Sequence, residues 1–341
     1  MMDFRSDNVA GMAPEILAAI QAANQGNASS YGADEYSAQL DAAFSKLFDT
    51  PCRVFPVATG TAANALALDA LSPGHGAIYC HEQSHIAVDE CNAVEFFTAG
   101  ARLVPLPGGG GKIDPQALQA HLAQGWRGVQ HHPQPRAISI AQATECGTVY
   151  APAEIAALSA IARQHGLLLH MDGARFANAV AAGNHHAADL SWRAGVDVLG
   201  FGATKNGALA AEAVIFFKPE LADAFIYRRK RGGHLFSKMR FLSAQLLAML
   251  EDGLWLRLAG NANARAKQLA DGLAGQGLRL AYPVEANEVF VYLPDRQVQG
   301  LKAHGALFHP WDEAAGLYRF VCGFDKSDAD VAALLRAASD A

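Results

Sequence analysis

A single lysine stands in a turn of small residues, Gly200-Phe201-Gly202-Ala203-Thr204-Lys205-Asn206-Gly207. One apolar run, Val196-Asp197-Val198-Leu199, leads into the turn and another, Glu212-Ala213-Val214-Ile215-Phe216, leaves it. The turn itself holds no carboxylate to pair with the amine. A merely solvated lysine needs no such setting. A lysine whose amine does chemistry must be held close to backbone and kept from full hydration. Upstream, Asp172 in His170-Met171-Asp172-Gly173-Ala174-Arg175 ends an apolar run. A carboxylate there can hold a ring nitrogen or a metal positive; the alternative is a structural Asp–Arg pair at a turn. A third stretch, Ala58-Thr59-Gly60-Thr61-Ala62-Ala63-Asn64, opens a helix with a glycine between two hydroxyls. Exposed N–H groups and the helix dipole favour a phosphate at such a start, although the same residues also make an ordinary cap. Taken together, Gly60-Thr61, Asp172 and Lys205 supply a phosphate cradle, a partner for a ring nitrogen and an amine for a Schiff base. Those are the parts that pyridoxal phosphate requires.

Other patterns point elsewhere. His81-Glu82-Gln83-Ser84-His85 matches the zinc-hydrolase pattern HExxH, which needs both histidines on one face of a helix. Here it directly follows the strand-like run Ala77-Ile78-Tyr79-Cys80, so His81 is expected in a strand-to-helix loop, and no third ligand is evident. A zinc hydrolase using His81 and His85 therefore stands only as the alternative from another class. Gly108-Gly109-Gly110-Gly111-Lys112 has the wrong spacing for a phosphate loop, and Ile113 stands where a Mg²⁺-holding hydroxyl belongs. The pairs His131-His132 and His185-His186 are adjacent in sequence, and such neighbours rarely share one metal. No metal site is assigned.

The elements that must position these residues alternate along the chain. Arg53–Val57, Ala137–Ile140, Leu167–Met171 and Val196–Phe201 have strand character. Ala/Leu-rich stretches such as 152–162, opened by Pro152 and closed near Gly166, lie between them. That alternation predicts an α/β fold with a mostly parallel sheet covered by helices on both faces, with ligands outside the carboxyl ends of the strands. A long helix is expected over about Phe241–Leu258. Beyond it, strands at Asn287–Leu293 and Tyr318–Cys322 and a terminal helix predict a smaller α+β unit. The expected division is a large cofactor-binding domain over residues 1–250 and a small C-terminal domain over 251–341.

The 341 residues are 51% hydrophobic with a formal charge of −6, enough for a sizeable core and without the basic excess of a nucleic-acid binder. The local cluster Arg228-Arg229-Lys230-Arg231 reads either as a solvated helix end or as a phosphate contact. Five cysteines without CxxC spacing suit a reducing compartment. The charged N-terminus does not look like a signal peptide and no apolar run reaches bilayer length. The expectation is a cytoplasmic protein with a small-molecule substrate.

These residues bear a specific resemblance. The chain resembles the low-specificity L-threonine aldolases, including the phenylserine aldolase branch, among fold-type-I pyridoxal-phosphate enzymes. It does so through nearly its whole length: Ser6-Asp7-Asn8, Tyr31-Gly32-Ala33-Asp34, Thr59 to Asn64, His85 before Asp89-Glu90-Cys91, Gln142-Ala143-Thr144-Glu145, His170 to Phe176, Gly202 to Gly207, and Ser237 to Ala244. The ordered pair Asp-Gly-Ala-Arg and Thr-Lys-Asn-Gly is the specific part. One departure is that many family members carry Glu-Asn-Thr-His where this chain has Gln142-Ala143-Thr144-Glu145. The resemblance implies a fold-type-I transferase-like fold, with a mostly parallel seven-stranded sheet and a small C-terminal domain. It implies that Lys205 forms the Schiff base, Asp172 pairs with the ring nitrogen and His85 stacks on the ring. Gly60, Thr61 and Asn64 would hold the phosphate. Ser6, Arg175 and Arg319 would grip the substrate carboxylate. Tyr31 would reach a site shared with a neighbouring subunit of a dimer or tetramer, and Lys230 would touch phosphate across that interface. His131 corresponds to a histidine near the substrate hydroxyl, so His131 and His85 are the expected bases. The reaction implied is retro-aldol cleavage of a β-hydroxy-α-amino acid to glycine and an aldehyde; β-elimination and transamination on the same cofactor are the alternatives.

Overall fold

A computed structural model describes residues 2–340. Its strands are β1 (Met2–Asp3), β2 (Arg53–Val57), β3 (Gly76–His81), β4 (Arg102–Leu106), β5 (Gln134–Ala141), β6 (Leu168–Gly173), β7 (Val198–Gly202), β8 (Glu212–Phe216), β9 (Glu288–Tyr292), β10 (Ala306–Leu307), β11 (His309–Asp312) and β12 (Leu317–Val321). Strands β2 to β8 form one seven-stranded sheet in the order β2-β8-β7-β6-β5-β3-β4. It is parallel from β7 through β4, while β8 runs antiparallel to both of its neighbours.

The interior strands are apolar on both faces, as a doubly covered sheet demands. Every residue of β3, β7 and β8 is buried. Side chains alternate between faces. Leu199, Phe201, Ala213 and Ile215 enter one core with Phe44, Phe48, Phe176 and Trp255. Val198, Val214 and Phe216 enter the other with Phe55, Leu66, Leu68 and Phe225. The helix Gly60–Leu71 lies in this second layer, buried along most of its length, and its alanines let it approach the strands closely.

The expected long helix over Phe241–Leu258 is two helices. Arg240–Leu250 stops, and a new helix runs from Leu254 to Gly275. Asp252 and Gly253 between them have φ of 47° and 66°, a left-handed pair that reverses the helical path. The second helix carries the chain out to a smaller layer. There β11, β12 and β9 make an antiparallel sheet, covered by Ala266, Leu269 and Leu273 of that helix and by Val331 and Leu334 of the helix Asp328–Ser339. The N-terminal segment crosses to the same layer. Strand β1 pairs with β10, and Phe4 is fully buried among Leu269, Phe320 and Val331. Burying that ring stabilises the crossing by roughly 1.5–3 kcal/mol.

Among the described residues no helix is long and apolar enough to cross a membrane. The cysteines are unpaired. Burial pushes the thiols of Cys52, Cys80 and Cys146 up to about 11, which keeps them protonated.

Candidate active site

Strand ends gather at one edge of the large sheet. Asp172 is the penultimate residue of β6, and Lys205 follows the end of β7 in a single 3₁₀ turn, Thr204–Asn206. Two glycines allow the loops beyond these strands to touch. A Cβ on Gly202 would lie 2.5 Å from the carbonyl oxygen of Ala174, and one on Gly173 would lie 2.5 Å from that of Gly200. Only backbone fits between them, so Asp172 and Lys205 are held at one separation. Both line a cavity of about 450 Å³, together with Thr59, Gly60, His85, Glu145 and Glu212.

Four side chains form a continuous relay beside it. Asp172 accepts from the Ala174 N–H at 2.9 Å through Oδ1 and from Asn64 Nδ2 at 2.8 Å through Oδ2. Asn64 also donates to Glu90 Oε1 at 2.9 Å. The same Glu90 oxygen lies 2.8 Å from His85 Nδ1, so the imidazole donates there and leaves Nε2 for the cavity. The hydrogen bond to Glu90 raises the pKa of His85 against the opposing effect of burial. Burial raises that of Glu90, with Asp172 adding to it and His85 opposing it. Asn64 was expected to hold phosphate. Both of its amide hydrogens are committed to carboxylates, so the side chain has none left for an anion.

The helix Gly60–Leu71 meets the expectation of an anion cradle. Thr59 caps it, its hydroxyl accepting from the Ala62 N–H at 3.2 Å. A Cβ on Gly60 would meet nothing within 4 Å, so the first turn faces open space. The N–H groups of Gly60 and Thr61 and the dipole of a three-turn helix point there. These residues fit pyridoxal phosphate. A carboxylate stands ready for the ring nitrogen, an amine for the aldehyde, N–H donors for the phosphate and an imidazole for the ring face.

Two arginines meet where the layers join. Arg175 donates to Asp7 Oδ2 at 2.8 Å through Nε and to Oδ1 at 3.2 Å through Nη2. Its Nη1 lies 3.5 Å from Glu288 Oε2, and Arg319 Nη1 lies 3.5 Å from Glu288 Oε1. Burial works against the Asp7 carboxylate, but Arg175 and Lys205 together hold its pKa below the usual range. Ser6, just before Asp7, caps the following turn by accepting from the Asn8 N–H at 3.1 Å. Asp7→Asn removes the charge that neutralises a buried guanidinium. It is expected to cost about 3 kcal/mol or more, read as a lower urea midpoint at unchanged slope; an unchanged midpoint would mean that the pair does not hold the layers together.

The expectation for His131 also fails. It precedes the first residue of β5, whereas Ala141 at the far end of that strand pairs with Asp172. At roughly 3.3 Å per residue, the strand alone puts about 23 Å between its two ends. His131 is exposed at the opposite edge of the sheet, and its neighbour His132 stacks on Trp126. Neither reaches the cavity. His81 sits at the end of β3 with Nε2 3.2 Å from the Gly108 carbonyl, while His85 opens a short helix, so the two do not share a helical face.

Tyr31 and Lys230 lie outside the cavity lining. Lys230 packs over the exposed Tyr31 ring at 4.8 Å from its centroid. The rest of the basic run is mostly occupied: Arg228 pairs with Asp69 at 2.8 Å, and Arg229 lies over Phe55.

Four carboxylates of this site were not evident as partners in the sequence. Glu212 is buried, accepts from the Ala203 N–H at 3.1 Å, and has its pKa pushed up to about 7 by burial, with Lys205 opposing. It supplies the acidic neighbour that Lys205 lacks within its own turn. Glu90, Asp7 and Glu288 complete the set. Asp7 and Glu288 gain meaning only from long-range pairing, whereas Glu90 reaches His85, five residues before it, as well as the more distant Asn64.

A lysine and a carboxylate at adjacent strand ends, over an anion-binding helix start and under a mostly parallel seven-stranded sheet, define a fold-type-I pyridoxal-phosphate enzyme. Comparison with known proteins narrows the class. The model of the beta-eliminating lyase family matches residues 3–296. Over 329 residues the chain is 44% identical to a low specificity L-threonine aldolase of a Pseudomonas species, covering 96% of this chain and 94% of that protein. It is 45% identical over 323 residues to the low specificity L-threonine aldolase of Pseudomonas aeruginosa, covering 94% and 92%. The solved structure of Leishmania major threonine aldolase superposes with a TM-score of 0.93 at 26% identity, covering 99% of this chain and 98% of that one. The chain belongs to the beta-eliminating lyase family and, within it, to the low-specificity L-threonine aldolases, carbon–carbon lyases dependent on pyridoxal 5′-phosphate.

Proposed function

We propose that this protein cleaves L-threonine, L-allo-threonine and related β-hydroxy-α-amino acids such as phenylserine to glycine and an aldehyde. The observation that carries this reading is the joint placement of Lys205, Asp172 and Arg175 on one cavity, with Arg319 joined to Arg175 through Glu288. Pyridoxal phosphate, when bound, supplies an electron sink for the pair released at the substrate Cα. Lys205 supplies the amine that the substrate amino group displaces. Asp172, fixed by Asn64 and the Ala174 N–H, keeps a ring nitrogen protonated opposite it. Gly60 and Thr61 bind the phosphate, and Thr59 sets the helix start that presents them. His85, held in place by Glu90, would lie against the ring and keep water off that face. Arg175 and Arg319 bind the substrate carboxylate, with Ser6 beside them, and so choose which bond to Cα stands ready to break.

In this reading residues 1–250, apart from the crossing N-terminal segment, form the cofactor domain, and residues 251–341 contribute Arg319. The protein acts in the cytoplasm as a homodimer or homotetramer. The exposed pair Tyr31 and Lys230 serves a neighbouring subunit's site, Tyr31 at the substrate and Lys230 at the phosphate. Product analysis tests the activity. Purified protein loaded with pyridoxal phosphate and given L-allo-threonine should release glycine and acetaldehyde in equal amounts. Release of ammonia and a keto acid would mean elimination instead, and amino transfer to an added keto acid would mean transamination.

A further inference from the structure

Retro-aldol cleavage needs a group that takes the β-hydroxyl proton, and the structure tests each candidate near the cavity. Asp172 is occupied by Asn64 and the Ala174 N–H. Asp7 is locked in its ion pair with Arg175. Glu90 lies buried behind His85. Glu212 accepts from the Ala203 N–H in the wall that carries Lys205. His85 gives its Nδ1 hydrogen to Glu90 and is assigned to the cofactor's ring face in the reading above, which commits the imidazole elsewhere.

Glu145 differs from all of these. It sits in the loop beyond β5 and lines the cavity. The His85 backbone N–H donates to its Oε1 at 2.7 Å and fixes the carboxylate beside the imidazole. Its Oε2 is sealed from solvent and has no hydrogen-bond partner. A buried carboxylate oxygen without a donor is costly unless something supplies a proton to it. The charged and titratable groups around it are His85, Asp172 and Arg175, with Cys80, Cys146 and Tyr150 behind.

Resting on the aldolase reading above, we propose that Glu145 is the catalytic base, its carboxylate accepting the β-hydroxyl proton of the substrate. The O–H electron pair becomes the second bond of the aldehyde carbonyl as Cα–Cβ breaks, and the Cα–Cβ pair stays on Cα. The proton held on Glu145, or one from solvent, then completes glycine. Burial pushes the Glu145 pKa up to about 7, with the His85 N–H opposing and Asp172 adding, which matches a base working near neutrality.

The test compares wild type with Glu145→Gln. A base must be deprotonated to act, so wild-type kcat/KM for L-allo-threonine should rise with pH through about 7 and then level. In Glu145→Gln it should fall by about 10²–10³-fold and lose that limb. Glycine has no hydroxyl, so its affinity, followed by cofactor absorbance, should change by no more than about threefold. Infrared difference spectra of the cofactor-free protein provide a reading independent of turnover. A protonated-carboxyl band titrating near pH 7 should disappear in the variant, leaving that of Glu212, whose carboxyl titrates in the same range. If Glu145→Gln fails to hold cofactor, Glu145→Asp takes its place and should retain the pH limb at a reduced rate. A Gln variant as fast as wild type with the limb intact, or no such infrared band, overturns the assignment while leaving the aldolase reading standing. A wild-type protein that releases no glycine overturns both.

Discussion

Lys205→Ala should lose at least about four powers of ten in glycine release, or ~5.5 kcal/mol of transition-state stabilisation. The loss belongs to a covalent role, since no other amine lines the cavity among the described residues. A structural role would predict a different signature. Lys205 is half-buried, and the fold closes around its turn through Asn206, which donates to the Trp255 carbonyl at 2.8 Å, and through Gly207, whose carbonyl accepts from the Ala13 N–H at 2.8 Å. The alanine variant should therefore melt within a few degrees of wild type while being inactive. Rates with L-allo-threonine and a thermal melt on the same preparation decide the matter. A variant with a tenth of wild-type activity would remove Lys205 from the chemistry.

The second large effect falls on Asp172. Asp172→Ala strips two donors of their acceptor, the Ala174 N–H and one Asn64 hydrogen. Leaving such groups unpaired costs about 1–3 kcal/mol each where they are buried, so the alanine variant mixes lost stability with lost chemistry. Asp172→Asn separates them. The amide oxygen keeps the Ala174 bond, while its NH₂ faces the Asn64 NH₂ and forces one of the two to turn. Stability should drop modestly, yet activity should fall about 10²–10³-fold, in the range for removing one electrostatic contact to developing charge. A neutral amide does not keep a ring nitrogen protonated. Cofactor affinity should fall far less than kcat, measured by equilibrium absorbance titration. An Asn variant with near wild-type kcat would show that Asp172 only braces the loop.

The sequence makes the local parts of this site readable and hides the distant ones. Lys205, Asp172 and the Thr59–Thr61 start each sit at a strand end marked by apolar runs and small residues, so chain order alone brings them to one edge of the sheet. His131 shows the limit of that logic. A histidine before a strand and one after it look alike on paper, yet β5 separates them by its whole length. The Phe241–Leu258 stretch misleads for a similar reason, because the left-handed turn at Asp252-Gly253 leaves the helical apolar pattern almost unbroken. Asp7 and Glu145 pair with groups that folding brings from elsewhere in the chain. Hydrophobic periodicity carries no record of such pairings.

The crossing of the N-terminal segment sets an order of assembly. Asp7 leaves the ribosome long before Arg175, and the strands that close over its segment come later still. Phe4 is covered by residues from 266 to 338, its N–H donates to the Leu307 carbonyl at 2.8 Å, and its carbonyl accepts from the Val321 N–H at 2.8 Å. Contacts so far apart in sequence slow folding, because the chain between must be ordered before they form. A nascent chain can build the large sheet and its lysine turn while Asp7 and Arg175 still lack the layer that seals them. The Arg175–Glu288–Arg319 cluster is thus completed after the cofactor edge, when residues 288–321 arrive.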